Sequence, residues 1–196
     1  MLTWLKEKEV ICPSLPAIYF SNCQKFKRLI MATNKTLYIG RHAKSSWDFP
    51  GRADIDRPLS ERGVENAHEM AKRMLKRGEK PECIISSPAN RALHTAVIYV
   101  RQLGISFTDL VINEDLYMGG EDSILQIITT LDEHVDSVMI FGHNPDFTHF
   151  ANVFLHDQIY NIPTSGMVRL TFDVSAWEDI HRGKLSENFF DYPKKK

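Results

Sequence analysis

Arginine and histidine residues stand where three predicted strands end. Arg41 and His42 come directly after the first strand, Arg91 lies in the first turn of the helix after the second, and His143 follows the fourth. Because the carboxyl ends of parallel strands meet at one edge of a sheet, beside the helix N-termini, we expect these side chains to converge. Two guanidinium groups and two imidazoles can coordinate the non-bridging oxygens of a phosphoryl group. The pattern predicts a phosphate site.

His42 is the better candidate for a nucleophile because it directly follows a strand. A neutral imidazole attacks phosphorus near neutral pH, and transfer in two displacements avoids activating water against a dianion. We expect His143 to hydrogen-bond an equatorial oxygen, as the imidazolium while negative charge develops. These residues predict a metal-independent phosphatase that works through a phosphohistidine intermediate on His42, without a cofactor.

Strands and helices are predicted to alternate from residue 36 onward. Apolar residues predict strands near 36–40, 83–85, 110–112, 137–141, 167–172 and 185–190. Apolar residues at helical spacing predict helices that are capped by Ser60, by Ser87 before Pro88 and by Asn144 before Pro145, with a further helix over 124–131. This alternation predicts an α/β fold, a three-layer α/β/α sandwich with a largely parallel central sheet.

Composition restricts the kind of protein and its partners. A chain of 196 residues with 43% hydrophobic content is expected to form one ordinary globular core. A formal net charge of −1 gives no overall basic field, so we expect neither nucleic acid nor membrane as a partner. No apolar run approaches the about 20 residues of a membrane span. The 3 scattered cysteines fit neither a disulfide framework nor a cysteine zinc site, which favours the reducing cytoplasm.

The first 34 residues differ from the rest because they show no sustained hydrophobic period, and we assign no chemistry to them. Met31 stands just before the first predicted strand. We therefore expect a domain over residues 35–196 and an N-terminal extension over residues 1–34 that is disordered or not native.

Four motifs occur in a fixed order along the chain. They are Arg41-His42-Ala43-Lys44-Ser45, the Asp-Arg-Pro-Leu-Ser-Glu-Arg-Gly run at 56–63, the Ser-Ser-Pro-Ala-Asn-Arg-Ala-Leu-His-Thr-Ala run at 86–96, and Gly-His-Asn-Pro at 142–145. This order resembles the signature of the histidine phosphatase superfamily, the relatives of phosphoglycerate mutase. The likeness is greatest to the small SixA-type phosphohistidine phosphatases. The Pro-Thr-Ser-Gly segment at 163–166 also resembles their pattern.

The resemblance implies a phosphoglycerate mutase-like fold and assigns roles to the matching residues. It implies that His42 is the phosphorylated nucleophile, and that Arg41, Arg91 and His143 form the phosphate pocket. It also implies that Arg57 makes an additional contact with phosphate or substrate. Lys44, in the loop after the nucleophile, and Ser87, in the third motif, are the other candidate substrate-binding residues.

Two features depart from the usual superfamily pattern. Ala43 replaces the usual glycine after the nucleophile, as in SixA-like sequences, and its methyl group would matter if the position required a positive φ. Glu114 and Asp115 are the acidic residues near the expected place of a proton donor. Their role is open at this point.

The lack of a clear proton donor indicates which class of substrate the protein would hydrolyse. An alkoxide leaving group needs a proton donor, whereas a phosphohistidine leaves as a far less basic imidazole. A weak or missing acid therefore favours phosphohistidine on a protein, and the short chain has little room for insertions that enclose a small metabolite. Two alternatives remain: a small-molecule phosphomonoesterase of the same superfamily, and a non-catalytic phosphate-recognition module. The sequence does not indicate an oligomeric state.

Overall fold

The computed structural model describes residues 34–48 and 51–194. Residues 1–33 of the predicted N-terminal extension lie outside these described residues. In the described part of the chain, no helix is both long and apolar enough to cross a membrane.

Six strands form a single sheet in the described part of the chain. They are β1 (Lys35–Arg41), β2 (Cys83–Ser86), β3 (Leu110–Ile112), β4 (Ser137–Gly142), β5 (Met167–Phe172) and β6 (Leu185–Asp191). Their spatial order is β3-β2-β4-β1-β5-β6. The first four strands are parallel to one another, and β5 and β6 add an antiparallel edge. The prediction of a largely parallel sheet is confirmed.

Helices cover both faces of this sheet. They are α1 (Glu61–Lys76), α2 (Asn90–Leu103), α3 (Asp115–Met118), α4 (Gly120–Thr129) and α5 (Asp146–Phe154). One apolar core joins the sheet to α1 and α2 through residues such as Met70 and Tyr99. A second core joins the opposite face to α4 and α5 through Ile128 and Phe150. The predicted three-layer α/β/α sandwich is confirmed.

Two predicted helix starts are wrong. Helix α2 begins at Asn90 with Ala89 as its N-cap, so Ser87 does not cap it. Helix α5 begins at Asp146 with Pro145 as its N-cap, and Asn144 donates its amide hydrogens to Asn161 Oδ1 and to the Ile162 carbonyl. In both cases a side chain that could have capped a helix makes a contact elsewhere. The cap predicted at Ser60 is confirmed, since its Oγ accepts a hydrogen bond from the Gly63 amide at 3.1 Å.

Strand register brings the carboxyl ends of three parallel strands to one edge. Arg41 at the end of β1 is in register with Gly142 of β4, and Ser86 of β2 is in register with Phe141. The residues that follow these strand ends therefore lie side by side, although they are far apart in the sequence.

The loop after β1 is fixed against the start of α1. The Lys44 carbonyl accepts hydrogen bonds from the backbone amide of Ser60 at 2.9 Å and from its hydroxyl at 3.1 Å. Gly63 faces the same carbonyl so closely that a Cβ there would lie 2.1 Å from the Lys44 oxygen. Helix α1 thus needs a glycine at this position to hold the loop.

We predict that Gly63→Ala destabilises the protein. Replacing a helical glycine by alanine ordinarily stabilises by about 0.5–1 kcal/mol. Here the added methyl group would collide with backbone, so we expect a loss on the order of 1–3 kcal/mol in the free energy of unfolding, measured with denaturant. The exposed Glu65→Ala in the same helix is the control, with an expected change within about 0.5 kcal/mol. A stabilised Gly63→Ala variant would contradict the close contact.

Candidate active site

His42 is held in one tautomer at the end of β1. Its ring is buried, with 8% of the residue exposed, and its Nδ1 lies 2.7 Å from the carbonyl oxygen of Ala43. Because a carbonyl oxygen only accepts hydrogen bonds, the ring must carry its proton on Nδ1. The lone pair of a neutral ring is then on Nε2, and this nitrogen is the one able to act as a nucleophile.

The surroundings of His42 keep its ring neutral. Burial lowers its pKa to about 4, against the opposing effect of the bond to Ala43, and the charges of Arg91, Arg41 and Arg57 lower it as well. All three arginines, which come from separate motifs, therefore lie close enough to act on the same ring. At neutral pH the His42 ring is therefore uncharged.

His143 lies beside His42, with ring centroids 5.0 Å apart. Arg91 Nη2 donates to His143 Nδ1 at 3.3 Å, so the proton of a neutral His143 ring is on Nε2, which donates to Ser87 Oγ at 2.8 Å. Burial, followed by the charges of His42 and Arg91, lowers the pKa of His143 to about 3. The ring is therefore neutral at rest, and the imidazolium that we expected would require the nearby negative charge of a phosphoryl group.

Arg91 is anchored at the start of α2 and is almost fully buried. It donates from Nη1 to the backbone carbonyl of Asp54 at 2.5 Å and from Nη2 to the Asp54 carboxylate at 2.8 Å. It also makes the hydrogen bond to His143 described above, and its guanidinium lies over the Tyr117 ring, with Cζ 6.0 Å from the ring centroid. This guanidinium therefore links the imidazole at the end of β4 to the loop that precedes α1.

Arg57 is fixed by the loop that follows the nucleophile. It donates to Ser45 Oγ at 2.6 Å, to the Ser46 carbonyl at 3.3 Å and to Asp54 Oδ1 at 2.9 Å. The Trp47 ring lies over its guanidinium, 3.2 Å from the Cζ atom to the ring centroid. A planar cation stacked on an aromatic face is held in orientation as well as in position.

Arg41 provides a third guanidinium, and only some of its hydrogen-bond donors have acceptors among the described residues. Its Nη1 donates to the Ile162 carbonyl at 2.8 Å. Its Nε is buried and has no hydrogen-bond partner among the described residues. Burial lowers the pKa of this side chain, as expected for a cation removed from water. A buried N–H without a partner is costly, and an oxyanion is a suitable acceptor for it.

Ala43 fits its position beside the nucleophile. Its side chain is fully buried, and its amide donates to Thr95 Oγ1 at 3.0 Å. Among the described non-glycine residues, only Ser165 has a positive φ, at 63°, so Ala43 does not need the conformation that favours glycine. Ser165 itself donates its amide to the His42 carbonyl at 3.2 Å. The Pro-Thr-Ser-Gly segment at 163–166 thus lies against the nucleophile's backbone.

The structure separates the predicted site residues into two groups. Six lie together: Arg41, His42, Arg57, Ser87, Arg91 and His143. Ser87 is fully buried and contacts His143, and its binding of substrate stays a prediction. The side chains of Lys44, Glu114 and Asp115 are exposed, and no hydrogen bond among the described residues joins them to the pocket. Their roles as substrate contact and proton donors also stay predictions.

Sequence reasoning missed two residues of the pocket. The Asp54 carboxylate accepts from both Arg57 and Arg91, and the Tyr117 hydroxyl donates to it at 3.0 Å. The Tyr117 ring also packs edge-on against His143, with centroids 5.4 Å apart. The spacing of Asp54 and Arg57, three residues apart, was a weak signal of an ion pair, and nothing local pointed to Tyr117.

The assembled pocket combines three guanidinium groups with two neutral imidazoles. The guanidiniums can hold the charge of a phosphoryl group, and Nε2 of His42 can attack it. Among the described residues, no group of three His, Cys, Asp or Glu side chains is placed to hold a metal ion. The arrangement is suited to transfer of a phosphoryl group onto histidine.

We predict that both histidines titrate far below the ordinary range. Because burial and nearby cations disfavour the imidazolium, we expect both rings to stay neutral between about pH 5 and pH 8 and His42 to keep its proton on Nδ1. Ring ¹⁵N NMR resolves tautomer and protonation, and His42→Gln and His143→Gln variants assign the signals. A midpoint near the ordinary value of about 6.5 for either ring would contradict this electrostatic description.

Residues 37–117 match the family model of the histidine phosphatase superfamily (branch 1). An uncharacterized chloroplastic protein of Arabidopsis thaliana is 28% identical over 156 residues, which cover 74% of this chain and 70% of that protein. These two findings concern the sequence alone.

Solved structures show the same fold. A protein of Agrobacterium tumefaciens assigned as phosphohistidine phosphatase SixA is 28% identical, with a TM-score of 0.66 over 79% of this chain and 97% of that one. The protein histidine phosphatase SixA complexed with tungstate has a TM-score of 0.69 at 22% identity, over 81% of this chain and 97% of that one, and this likeness concerns the fold alone. This chain is therefore similar to the histidine phosphatase superfamily over residues 37–117, and it shares the fold of these solved structures.

Proposed function

We propose that this protein is a phosphatase that takes a phosphoryl group onto Nε2 of His42, and that its substrate is phosphohistidine on a protein. The observation that carries the proposal is the hydrogen bond from His42 Nδ1 to the Ala43 carbonyl, which leaves Nε2 as a free nucleophile beside three arginines. An imidazole kept neutral and fixed in this tautomer is ready for attack on phosphorus.

The reaction proceeds in two displacements. The Nε2 lone pair of His42 attacks phosphorus, and the bond from phosphorus to the substrate nitrogen breaks. The substrate ring carries a proton on its other nitrogen, so it takes the bonding electrons and leaves as neutral imidazole. Water then attacks phosphorus of phospho-His42 and loses a proton to solvent, and His42 regains its lone pair as phosphate leaves. Arg41, Arg57 and Arg91 hold the negative oxygens in both steps, and His143 donates to one of them.

A protein substrate is supported by the groups around the pocket. The Trp47 ring is 73% exposed while its face rests on Arg57, and Lys44 in the same loop is exposed. Exposed aromatic and cationic side chains beside an anion pocket suit the surface of a second protein. The relative from Agrobacterium tumefaciens is assigned as a phosphohistidine phosphatase, which agrees with this substrate class. The cytoplasmic location stays a prediction from cysteine usage.

The first prediction concerns the nucleophile. In the presence of EDTA, we expect the wild type to hydrolyse a phosphohistidine-bearing protein and to accumulate phospho-His42 in a rapid quench without acid. His42→Gln keeps a polar side chain of similar size but has no nucleophilic nitrogen, and we expect it to lose on the order of 10³-fold or more in kcat.

The control for this assay is His68→Gln, which changes an exposed histidine on α1 and should retain wild-type turnover. Full activity of His42→Gln would disprove the proposed mechanism. Phosphate binding by the wild type without any phospho-His42 would instead support the non-catalytic recognition module.

The second prediction concerns the proton donor. Because an imidazole leaving group needs little protonation, we expect Glu114→Gln and Asp115→Asn to change phosphohistidine hydrolysis by less than about threefold. Hydrolysis of alkyl phosphates, measured in parallel, should be slow in the wild type. Efficient alkyl phosphate turnover that either substitution abolishes would favour the small-molecule phosphomonoesterase.

A further inference from the structure

We propose that the Asp54 carboxylate is an internal counter-anion of the phosphate pocket, which occupies Arg57 and Arg91 and weakens the binding of free phosphate to them. Product phosphate must compete with this carboxylate, so the pocket releases it more readily. The inference rests on the proposed function, since it requires that the pocket bind phosphate.

The carboxylate uses the hydrogen-bond donors that a phosphoryl group would use. Asp54 Oδ1 accepts from Arg57 Nη1 at 2.9 Å, and Oδ2 accepts from Arg91 Nη2 at 2.8 Å and from the Tyr117 hydroxyl at 3.0 Å. Two negative oxygens bridging two guanidinium groups reproduce the contact that two phosphate oxygens would make. Carboxylate and phosphate therefore compete for the same N–H groups.

The negative charge of Asp54 persists throughout the working pH range. Burial by itself would raise its pKa, but hydrogen bonds from Arg57, Tyr117 and Arg91 outweigh burial and hold the pKa at about 2. A phosphate dianion that enters the pocket thus meets a like charge. The Asp54 side chain is 49% exposed, so it can turn toward water when phosphate replaces it.

Both arginines keep other anchors when the Asp54 charge is removed. Arg91 still donates to the backbone carbonyl of residue 54 and to His143. Arg57 still donates to Ser45 and Ser46, and its stacking on the Trp47 ring does not involve the carboxylate. Loss of the charge should therefore remove repulsion without releasing the guanidinium groups.

This difference separates a counter-anion from a merely structural residue. If Asp54 only positioned the two arginines, its replacement would loosen them and weaken phosphate binding. If it is a competing anion, its replacement by the neutral Asn tightens phosphate binding. The two roles predict changes of opposite sign in one measured quantity.

The experiment measures two constants for inorganic phosphate with the 196-residue chain. One is its inhibition constant as a competitive inhibitor, and the other is its dissociation constant, measured by calorimetry. For Asp54→Asn we expect both constants to fall about tenfold or more. Asp56→Asn removes the same charge from an exposed position in the same turn, and should change both constants by less than about twofold. Asp54→Ser is a second charge-free variant if Asp54→Asn does not fold.

Tyr117→Phe removes a hydrogen bond to the carboxylate but keeps its charge, so we expect no tightening beyond about twofold. The inference is overturned if Asp54→Asn binds phosphate with unchanged or weaker affinity, or if Tyr117→Phe tightens binding equally. Wild-type protein that binds no phosphate would overturn the proposed function together with this inference. Wild-type binding without tightening in Asp54→Asn overturns the inference alone.

Discussion

The hydrogen bond from His42 Nδ1 to the Ala43 carbonyl is the interaction on which the site depends. It fixes which nitrogen carries the proton, and so leaves the lone pair of the neutral ring on Nε2, the nitrogen of the proposed nucleophile. The backbone around it is held from two sides, by the Gly142 carbonyl at 3.1 Å from the His42 amide and by the amide of Ser165. Because the loop beyond is fixed against α1 at Gly63, the ring is oriented before any substrate binds.

The second constraint is electrostatic. Three arginines beside one buried ring repel each other and disfavour any further positive charge. The pocket meets this constraint with neutral histidines, whose pKa values are lowered to about 4 and about 3, and with Asp54, which contacts two of the arginines. If the proposed function is correct, a phosphoryl dianion would meet donors that are already aimed, so little reorganisation would be needed to bind it.

The two wrong helix starts have a common physical cause. Ser87 and Asn144 were assigned as helix caps, yet Ser87 accepts from His143 and Asn144 donates to Asn161. In each case a local preference was replaced by a contact with a residue distant in the chain.

The sequence by itself determined the layered α/β architecture and most of the residues of the proposed phosphate pocket. Hydrophobic periods locate strands locally, and Arg41, His42 and His143 stand directly at strand ends, where parallel topology must bring them together. Tertiary structure alone decided the pairings across the pocket. Asp54 meets Arg91 37 residues away and Tyr117 63 residues away, and no periodicity reports contacts of that separation. The folded chain decided which nitrogen of His42 carries the proton, the neutral state of both histidines and the place of Asp54 beside two arginines. Burial and distances between residues far apart in the sequence set all three.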